Sequence, residues 1–446
     1  MSKVIDVNKL IDTAELSPYH YFLTAICFLF TMVNGYAVVT LSLIVPLLAE
    51  DWGLAVSQFA PAHMAVMVGI LIGSIVAGML SDKYGRRITI LFMTLIATIF
   101  MAISTLATSL GELIVYRALT GFGAGAIPVV LALISEYIPK AYRNLLVVIV
   151  FAGPPFSGVI AGNLGPQLTD VYGWEAIFYL GLAITVPTLL LGLFLLPESI
   201  KYLIIKNKQT DKVHTLLKRL LPNYKAEEGA EFKTNQPLSA PKSSFAELFA
   251  DNRTNITLLI WLLFFSTQFV MFFLNLWVPT VLVNEGWTLQ DGGKALANFN
   301  LGSFFGGFLI GRAADKYGAS NILKIIFPLS AFSLFALGFC LHNPLLYFVV
   351  AFFAGGATLG ANMALGPFSA SLYPVKMRGT GMGTAIGIGR LGAMSAALIG
   401  GILISKGVKG INYYHLAITF PIICLVGIFV LSNILEKRKA KQIATI

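Results

Sequence analysis

Apolar positions along this chain gather into long blocks instead of alternating with polar ones or repeating as a single stripe. Crossing the roughly 30 Å hydrocarbon core of a bilayer as a helix takes about 20 such residues. Blocks of that length occur twelve times, at about 20–48, 58–81, 88–109, 111–138, 144–166, 174–197, 255–283, 291–314, 321–341, 344–372, 379–403 and 411–434. The polar intervals between them are short, with one exception. Residues 198–254 hold Lys201, Lys206, Lys208, Lys212, Lys218 and Arg219, followed by a Pro/Ser-rich piece from Pro237 to Ser244. This stretch reads as a linker carrying a short amphipathic helix at about 209–221. The pattern divides the chain into a polar N-terminal segment (1–19), six spans (20–197), the linker (198–254), six more spans (255–434) and a polar tail (435–446).

Composition narrows the class. Of 446 residues, 57% are hydrophobic and only 12% charged, and the mean hydropathy is +0.80. No water-soluble core of this length could hide so much apolar surface. An all-α membrane protein is expected, and soluble enzymes, disulfide scaffolds and disordered chains are excluded as readings. Cys27, Cys340 and Cys424 lie in apolar blocks without metal-ligand or CxxC spacing, so no metal, cofactor or disulfide frame is expected. The first 19 residues are polar and the first apolar block is too long for a signal-peptide core, so no cleavable leader is expected.

The net charge of +10 is unevenly placed. With the N-terminus in the cytoplasm, inner segments carry Lys83, Arg86, Arg87, Lys140, Arg143, the linker cluster, Arg312, Lys316, Lys324, Lys376, Arg378, Lys437, Arg438, Lys439 and Lys441. Outer ones carry only Lys294, Lys406 and Lys409. By the positive-inside rule both termini and the linker face the cytoplasm. The basic excess then meets anionic lipid headgroups, and no nucleic-acid partner is called for. Brevity and the lack of targeting signals suggest a bacterial inner membrane.

The two sets of spans repeat. Gly78-Met-Leu-Ser-Asp82-Lys-Tyr-Gly85-Arg86-Arg87 aligns with Gly311-Arg-Ala-Ala-Asp315-Lys-Tyr-Gly318. Pro139 and Arg143 align with Pro374 and Arg378, and Gly121-Phe-Gly-Ala-Gly125 aligns with Gly355-Gly-Ala-Thr-Leu-Gly360. All three offsets are about 234 residues, a parallel repeat of six spans. Twelve spans, this repeat and the Gly-xxx-Asp-Lys-x-Gly-Arg-Arg motif between spans two and three resemble the major facilitator superfamily. The resemblance implies two pseudo-symmetric six-helix bundles rocking about a central cavity. Within it, Asn34-Gly35-Tyr36, Arg117-Ala-Leu-Thr-Gly121, Ser135-Glu136-Tyr137-Ile-Pro139, Leu276-Trp277-Val-Pro279 and Gly389-Arg390-Leu-Gly392 resemble the aromatic acid:proton symporters and related organic-anion carriers. That family places acids around the glycine of span one, whereas this chain has Asn34 and Ala37.

Chemistry then singles out side chains. An anion at the midplane must exchange its hydration shell for fixed donors, and arginine offers a permanent charge in a planar fork. Only Arg117 and Arg390 lie well inside spans. Arg390 sits near the middle of span eleven with no acid at its depth, and is the expected anion ligand; the bland alternative is a structural arginine satisfied by carbonyls. Asn34 and Tyr36 lie mid-span in helix one, which lines the cavity of such a fold. Gln268, Phe272 and Asn275 share a face of helix seven, Trp277 offers a ring to a flat substrate, and Asn362 is mid-span in helix ten. Each is equally readable as packing or helix–helix glue. For coupling or gating the candidates are Arg117, with Glu112 and Tyr116 as local partners, Glu136, His63, and the loop residues Asp82, Arg86, Arg87, Arg143 and Asp315, Asp82 being the expected partner of the arginines. No Walker motif, HExxH or nucleophile elbow occurs, so an enzyme is not expected. The expected function is secondary transport of a small organic anion, aromatic or another monocarboxylate, by alternating access with a proton as co-substrate. Exchange or facilitation without protons, a sugar or polyol carrier, and a non-transporting receptor are the alternatives.

Overall fold

The computed structural model describes residues 4–207, 210–221, 224, 231–234, 245–251 and 253–444; the Pro/Ser-rich piece of the linker lies outside them. The twelve apolar blocks form twelve long helices: α1 (Pro18–Asp51), α2 (Val56–Tyr84), α3 (Arg86–Leu106), α4 (Leu110–Tyr137), α5 (Arg143–Tyr172), α6 (Glu175–Leu195), α7 (Thr254–Asn284), α8 (Leu289–Tyr317), α9 (Ala319–His342), α10 (Pro344–Ser371), α11 (Arg378–Ser405) and α12 (Gly410–Arg438). Eleven are both long and apolar enough to cross a membrane. The remaining one, α8, has 29 residues, ample length at about 1.5 Å per residue. It is less apolar because Asn298 and Asn300 interrupt it and charges crowd its ends.

The sequence repeat is also a repeat of packing. On α2, a Cβ at Gly69 would overlap the Ala118 carbonyl of α4, and one at Gly73 would overlap that of Phe122. At the corresponding places on α8, Cβ atoms at Gly302 and Gly306 would strike Phe352 and Gly356 of α10. In a bilayer, where helices gain nothing hydrophobic by leaving lipid, such bare surfaces provide the close van der Waals approach that holds a pair together. The loop arginines repeat too. Arg143 donates from Nη2 to the Ile138 carbonyl at 3.0 Å, and Arg378 from Nε to the Tyr373 carbonyl at 3.2 Å, each five residues back across a proline.

Contacts sort the chain into two compact units. The first comprises Met1–Ala37, Val68–Ser157 and Phe178–Ala240. The second comprises Val38–Met67, Gly158–Ile177 and Pro241–Ile446. The second thus takes stretches of α1, α2 and α5 from the N-terminal six spans. Backbone proximity explains it: a Cβ at Gly162 of α5 would overlap the Gly293 carbonyl of α8, and one at Gly401 of α11 would lie 2.5 Å from the Ala60 Cβ. Gln290 adds a bond from Nε2 to both carboxylate oxygens of Asp170, at 3.1 and 2.9 Å.

The first unit holds more than spans. A helix at Val7–Asp12 and the linker helix Thr210–Leu220 bury Val7, Ile11, Val213, Leu216, Leu217 and Leu220 in the same core as Leu23, Phe30, Met93 and Leu133. Two short strands, β1 (Val4–Asp6) and β2 (Glu231–Lys233), pair in parallel with Val4 opposite Glu231. The all-helical reading of the sequence did not include them; three residues each are too few for a periodic signal, and only the fold brings residues 4–6 beside the linker.

Candidate functional site

Arg390 lies midway along α11, half-buried, and takes part in no hydrogen bond or ion pair among the described residues. Its neighbour Gly389 packs on α7, where an added Cβ would lie 3.0 Å from Gln268 Cγ. Gln268 is itself half-buried. Three residues further along α7, Met271 Sδ is 4.0 Å from Nδ2 of the half-buried Asn362 on α10, whose amide also donates to the Thr358 carbonyl at 3.2 Å. Helix α7 is therefore the common neighbour of α10 and α11 here, and Arg390, Gln268 and Asn362 are partly accessible polar groups around it.

The other candidates on α7 are occupied. Phe272 is buried. Asn275 is buried and accepts at 3.0 Å from Asn300 Nδ2 on α8, while its own amide donates to the Met271 carbonyl, which is the interhelical-glue arrangement. Trp277 is wholly buried, donates to the Ala396 carbonyl of α11 at 3.3 Å, and lies with its ring 4.9 Å from that of His63. In this structure its faces are covered by protein, not offered to a ligand.

In the first unit, Arg117 is fully buried on α4. Its Nη2 donates to the Ala37 carbonyl of α1, and its Cζ lies 5.7 Å from the Phe178 ring centre. Nε and Nη1 have no hydrogen-bond partner among the described residues. The expected partner Glu112 is engaged elsewhere: its Oε2 accepts from the backbone and side chain of Thr108 at 2.9 and 3.1 Å, closing the start of the helix. Arg117 points inward from the helix and finds a carbonyl on α1 instead. Tyr36 is buried within electrostatic reach of Arg117, and its ring packs on Gly181 of α6. Asn34 is buried and donates from Nδ2 to the Ala124 carbonyl at 2.8 Å.

The loop candidates form a network around a different acid from the one expected. Asp82 and Asp315 are exposed and make no ion pair among the described residues. Arg86 turns back to α4, with Nη1 2.5 Å from Glu136 Oε1 and 2.8 Å from the Ala132 carbonyl. Glu136 Oε2 accepts from Ser199 Oγ at 2.5 Å, and Lys201 Nζ is 3.8 Å from Oε1. Arg87 donates to the Leu193 carbonyl. Arg143 pairs with Asp12 of the N-terminal helix. Glu198, which sequence reasoning passed over, accepts from the backbone N–H groups of Arg86, Arg87 and Ser199 at 2.7, 3.1 and 2.8 Å. A carboxylate thus caps the start of α3, where free N–H groups and the helix dipole favour negative charge. Gly85 makes this possible: its φ of +97° suits only glycine, and a Cβ there would meet Glu198 Oε2. Burial holds the Lys201 ammonium below the ordinary lysine range, with Glu136 pulling the other way. A polar cavity of about 90 Å³ opens beside this network, lined by Asn8, Asp12, Ser135, Glu136, Arg143 and Lys201.

A family model described as the Major Facilitator Superfamily matches residues 27–329 and 286–445. The chain belongs to that superfamily. It is a multi-pass membrane transporter of the major facilitator fold and not an enzyme. Among similar proteins, the 4-hydroxybenzoate transporter PcaK of Acinetobacter baylyi is 32% identical over 406 residues, covering 90% of this chain and 89% of the relative. The gallate transporter of Pseudomonas putida is 31% identical, covering 90% of each. The benzoate transport protein of Acinetobacter baylyi is 28% identical, covering 97% of this chain and 94% of the relative. In fold, the chain resembles an inward-open structure of the xylose transporter XylE from E. coli, with a TM-score of 0.72 and 15% identity over 92% of this chain and 95% of that one.

For a facilitator of this kind, two features of the site were not legible in advance. The pairing of Asn275 with Asn300 and the covering of Trp277 depend on which helices lie beside α7, and helical spacing alone does not report that. Glu198 had a signal in the sequence, the Pro-Glu-Ser run after span six, but its cap needs the start of α3 brought against it. No group of three or more His, Cys, Asp or Glu able to hold a metal ion occurs among the described residues.

Proposed function

We propose that this transporter carries a small aromatic monocarboxylate by alternating access, with Arg390 as its counter-charge and Gln268 and Asn362 as neighbouring polar contacts. One observation carries the reading: Arg390, half-buried midway along α11, takes part in no hydrogen bond or ion pair among the described residues. Such a charge is costly to maintain unless a ligand or water meets it, and a carboxylate fits its fork in two places. The relatives' substrates, 4-hydroxybenzoate, gallate and benzoate, share that carboxylate and a flat ring. The two six-span segments 20–197 and 255–434 act as the rocking bundles, with Glu136, Arg86, Arg143 and Asp82 at the gate. The basic asymmetry supports cytoplasmic termini in a bacterial inner membrane.

Symport with a proton would cancel the substrate's charge and tie accumulation to the proton gradient. A specific observation favours a second reading, anion exchange or facilitation: Arg117 meets the Ala37 carbonyl and, among the described residues, no carboxylate. Uptake of labelled 4-hydroxybenzoate into proteoliposomes tests both. Arg390→Ala is expected to reduce apparent affinity about ten- to hundredfold, the range for losing a charge-assisted bond. Stimulation by an inward proton gradient selects symport; stimulation only by preloaded benzoate selects exchange. Uptake of sugars in place of aromatic acids, indifferent to Arg390→Ala, would refute the anion assignment.

A further inference from the structure

Two of the long helices in the first unit are broken by proline. Helix α4 consists of Leu110–Ala124 and Ile127–Tyr137, with Pro128 at the start of the second piece. Helix α5 consists of Arg143–Phe151 and Gly153–Tyr172, with Pro154 at the join. In a continuous helix the N–H of residue 128 would bond the carbonyl of Ala124, and that of residue 154 the carbonyl of Val150. Proline has no N–H, so both carbonyls lose that helical partner, and in a membrane no water is at hand to replace it.

Both carbonyls are met from the same helix. Asn34 Nδ2 donates to the Ala124 oxygen at 2.8 Å; Thr31 Oγ1 has one hydrogen and two acceptors, the Val150 oxygen at 2.6 Å and, on its own helix, the Phe28 oxygen at 2.8 Å, Val150 being the nearer. The donors are one helical turn apart on α1, and both side chains are buried. The approach is too close to be casual: a Cβ at Gly153 would overlap Thr31 Oγ1, and one at Gly35 would overlap Pro154. One turn further on, the Ala37 carbonyl accepts from Arg117, so three successive turns of α1 bond to α4 and α5.

We propose that Thr31 and Asn34 are positioning residues, side-chain donors that replace the two amide hydrogens deleted by Pro154 and Pro128 and so hold the bends of α5 and α4 against α1. The assignment moves Asn34 from the substrate to the scaffold. It also explains why an amide serves at position 34: the orphaned carbonyl needs a hydrogen at every pH, which an ionised carboxylate cannot supply. The donors lie close to where α1 and α5 pass out of the first unit, after Ala37 and Ser157.

The test uses purified full-length protein without substrate, which separates it from the anion reading. Asn34→Ala and Thr31→Val are each expected to lower the thermal midpoint by about 3 °C, whereas Thr31→Ser keeps the hydroxyl and stays within about 1 °C of the parent. The deciding variants return the missing hydrogen. Pro128→Ala should recover at least half of the loss in Asn34→Ala, and Pro154→Ala at least half of that in Thr31→Val, while the crossed pairs recover none. Unchanged midpoints in the single variants would overturn the proposal. So would equal recovery by matched and crossed prolines, or an Asn34→Ala protein that loses only 4-hydroxybenzoate binding.

Discussion

A guanidinium and an ammonium differ at Arg390 in more than shape. The planar fork can grip a carboxylate in two places, whereas a lysine at the same depth sheds its proton more readily when dehydrated. Arg390→Lys is therefore expected to recover only part of the affinity lost in Arg390→Ala, and less of it at higher pH, as isothermal titration with benzoate at two pH values can check. At Gly85 the constraint is double, because the backbone is left-handed and the Glu198 carboxylate fills the space of a Cβ. Its repeat partner Gly318 has a similar φ of +86°, but its nearest neighbour is Asn321 Nδ2 at 3.9 Å. Gly85→Ala should then cost more than Gly318→Ala, where only the roughly 1–3 kcal/mol of backbone strain applies; unfolding curves in one detergent give the order. Sequence reading found both glycines through the repeat. It could not separate them, since Glu198 lies more than a hundred residues from Gly85.

At the scale of elements, the described residues after span six, 198–207 and 210–220, are part of the first unit and not a loose tether. Their helix was legible as an amphipathic stripe, and the structure has it at Thr210–Leu220. What the stripe covers was not legible, because the apolar face of a linker helix fits lipid or protein equally well. Leu217 is completely buried in the core of the first unit, and Leu217→Ala should cost about 2–5 kcal/mol, measurable as a lower unfolding midpoint. Lys201 gives the same region a pH signature. Its proton is held less tightly folded than unfolded, so the unfolded chain binds more protons between the depressed value and the ordinary lysine value. Stability contributed by this group therefore rises with pH across that window. Lys201→Met should flatten the rise in a thermal-shift series at alkaline pH; a series that still climbs as steeply would count against the burial of this lysine.

For the whole molecule, the informative feature is that the compact units cut across the six-span halves. The second unit includes residues 38–67 and 158–177 because glycine surfaces let these stretches reach the backbones of α8 and α11. A transporter that rocks must separate such contacts in each cycle. The double variant Asp170→Cys, Gln290→Cys replaces two side chains that already bond between the same helices; bridging it with a short bifunctional methanethiosulfonate is expected to block 4-hydroxybenzoate uptake, and a reductant to restore it. Uptake that persists in the fully cross-linked protein would mean that this contact stays closed throughout transport. The native Cys27, Cys340 and Cys424 are buried and free, which keeps them from competing.

Twelve spans, their repeat and the basic asymmetry follow from the sequence alone, because hydrocarbon thickness and the need to satisfy every backbone group leave an apolar block of this length little choice but to become a helix. The likeness of the loop motifs also carried the family. Tertiary structure decided which polar side chains are already bonded. Asn34, Asn275, Trp277 and Arg117 look as available in the sequence as Arg390, Gln268 and Asn362. They differ because neighbouring helices bury them and present a carbonyl or an amide at hydrogen-bond distance, whereas Asn362, bonded to the Thr358 carbonyl of its own helix, stays half-buried as Arg390 and Gln268 do; burial by a neighbour is a property of helix contacts, which no single stretch of chain encodes.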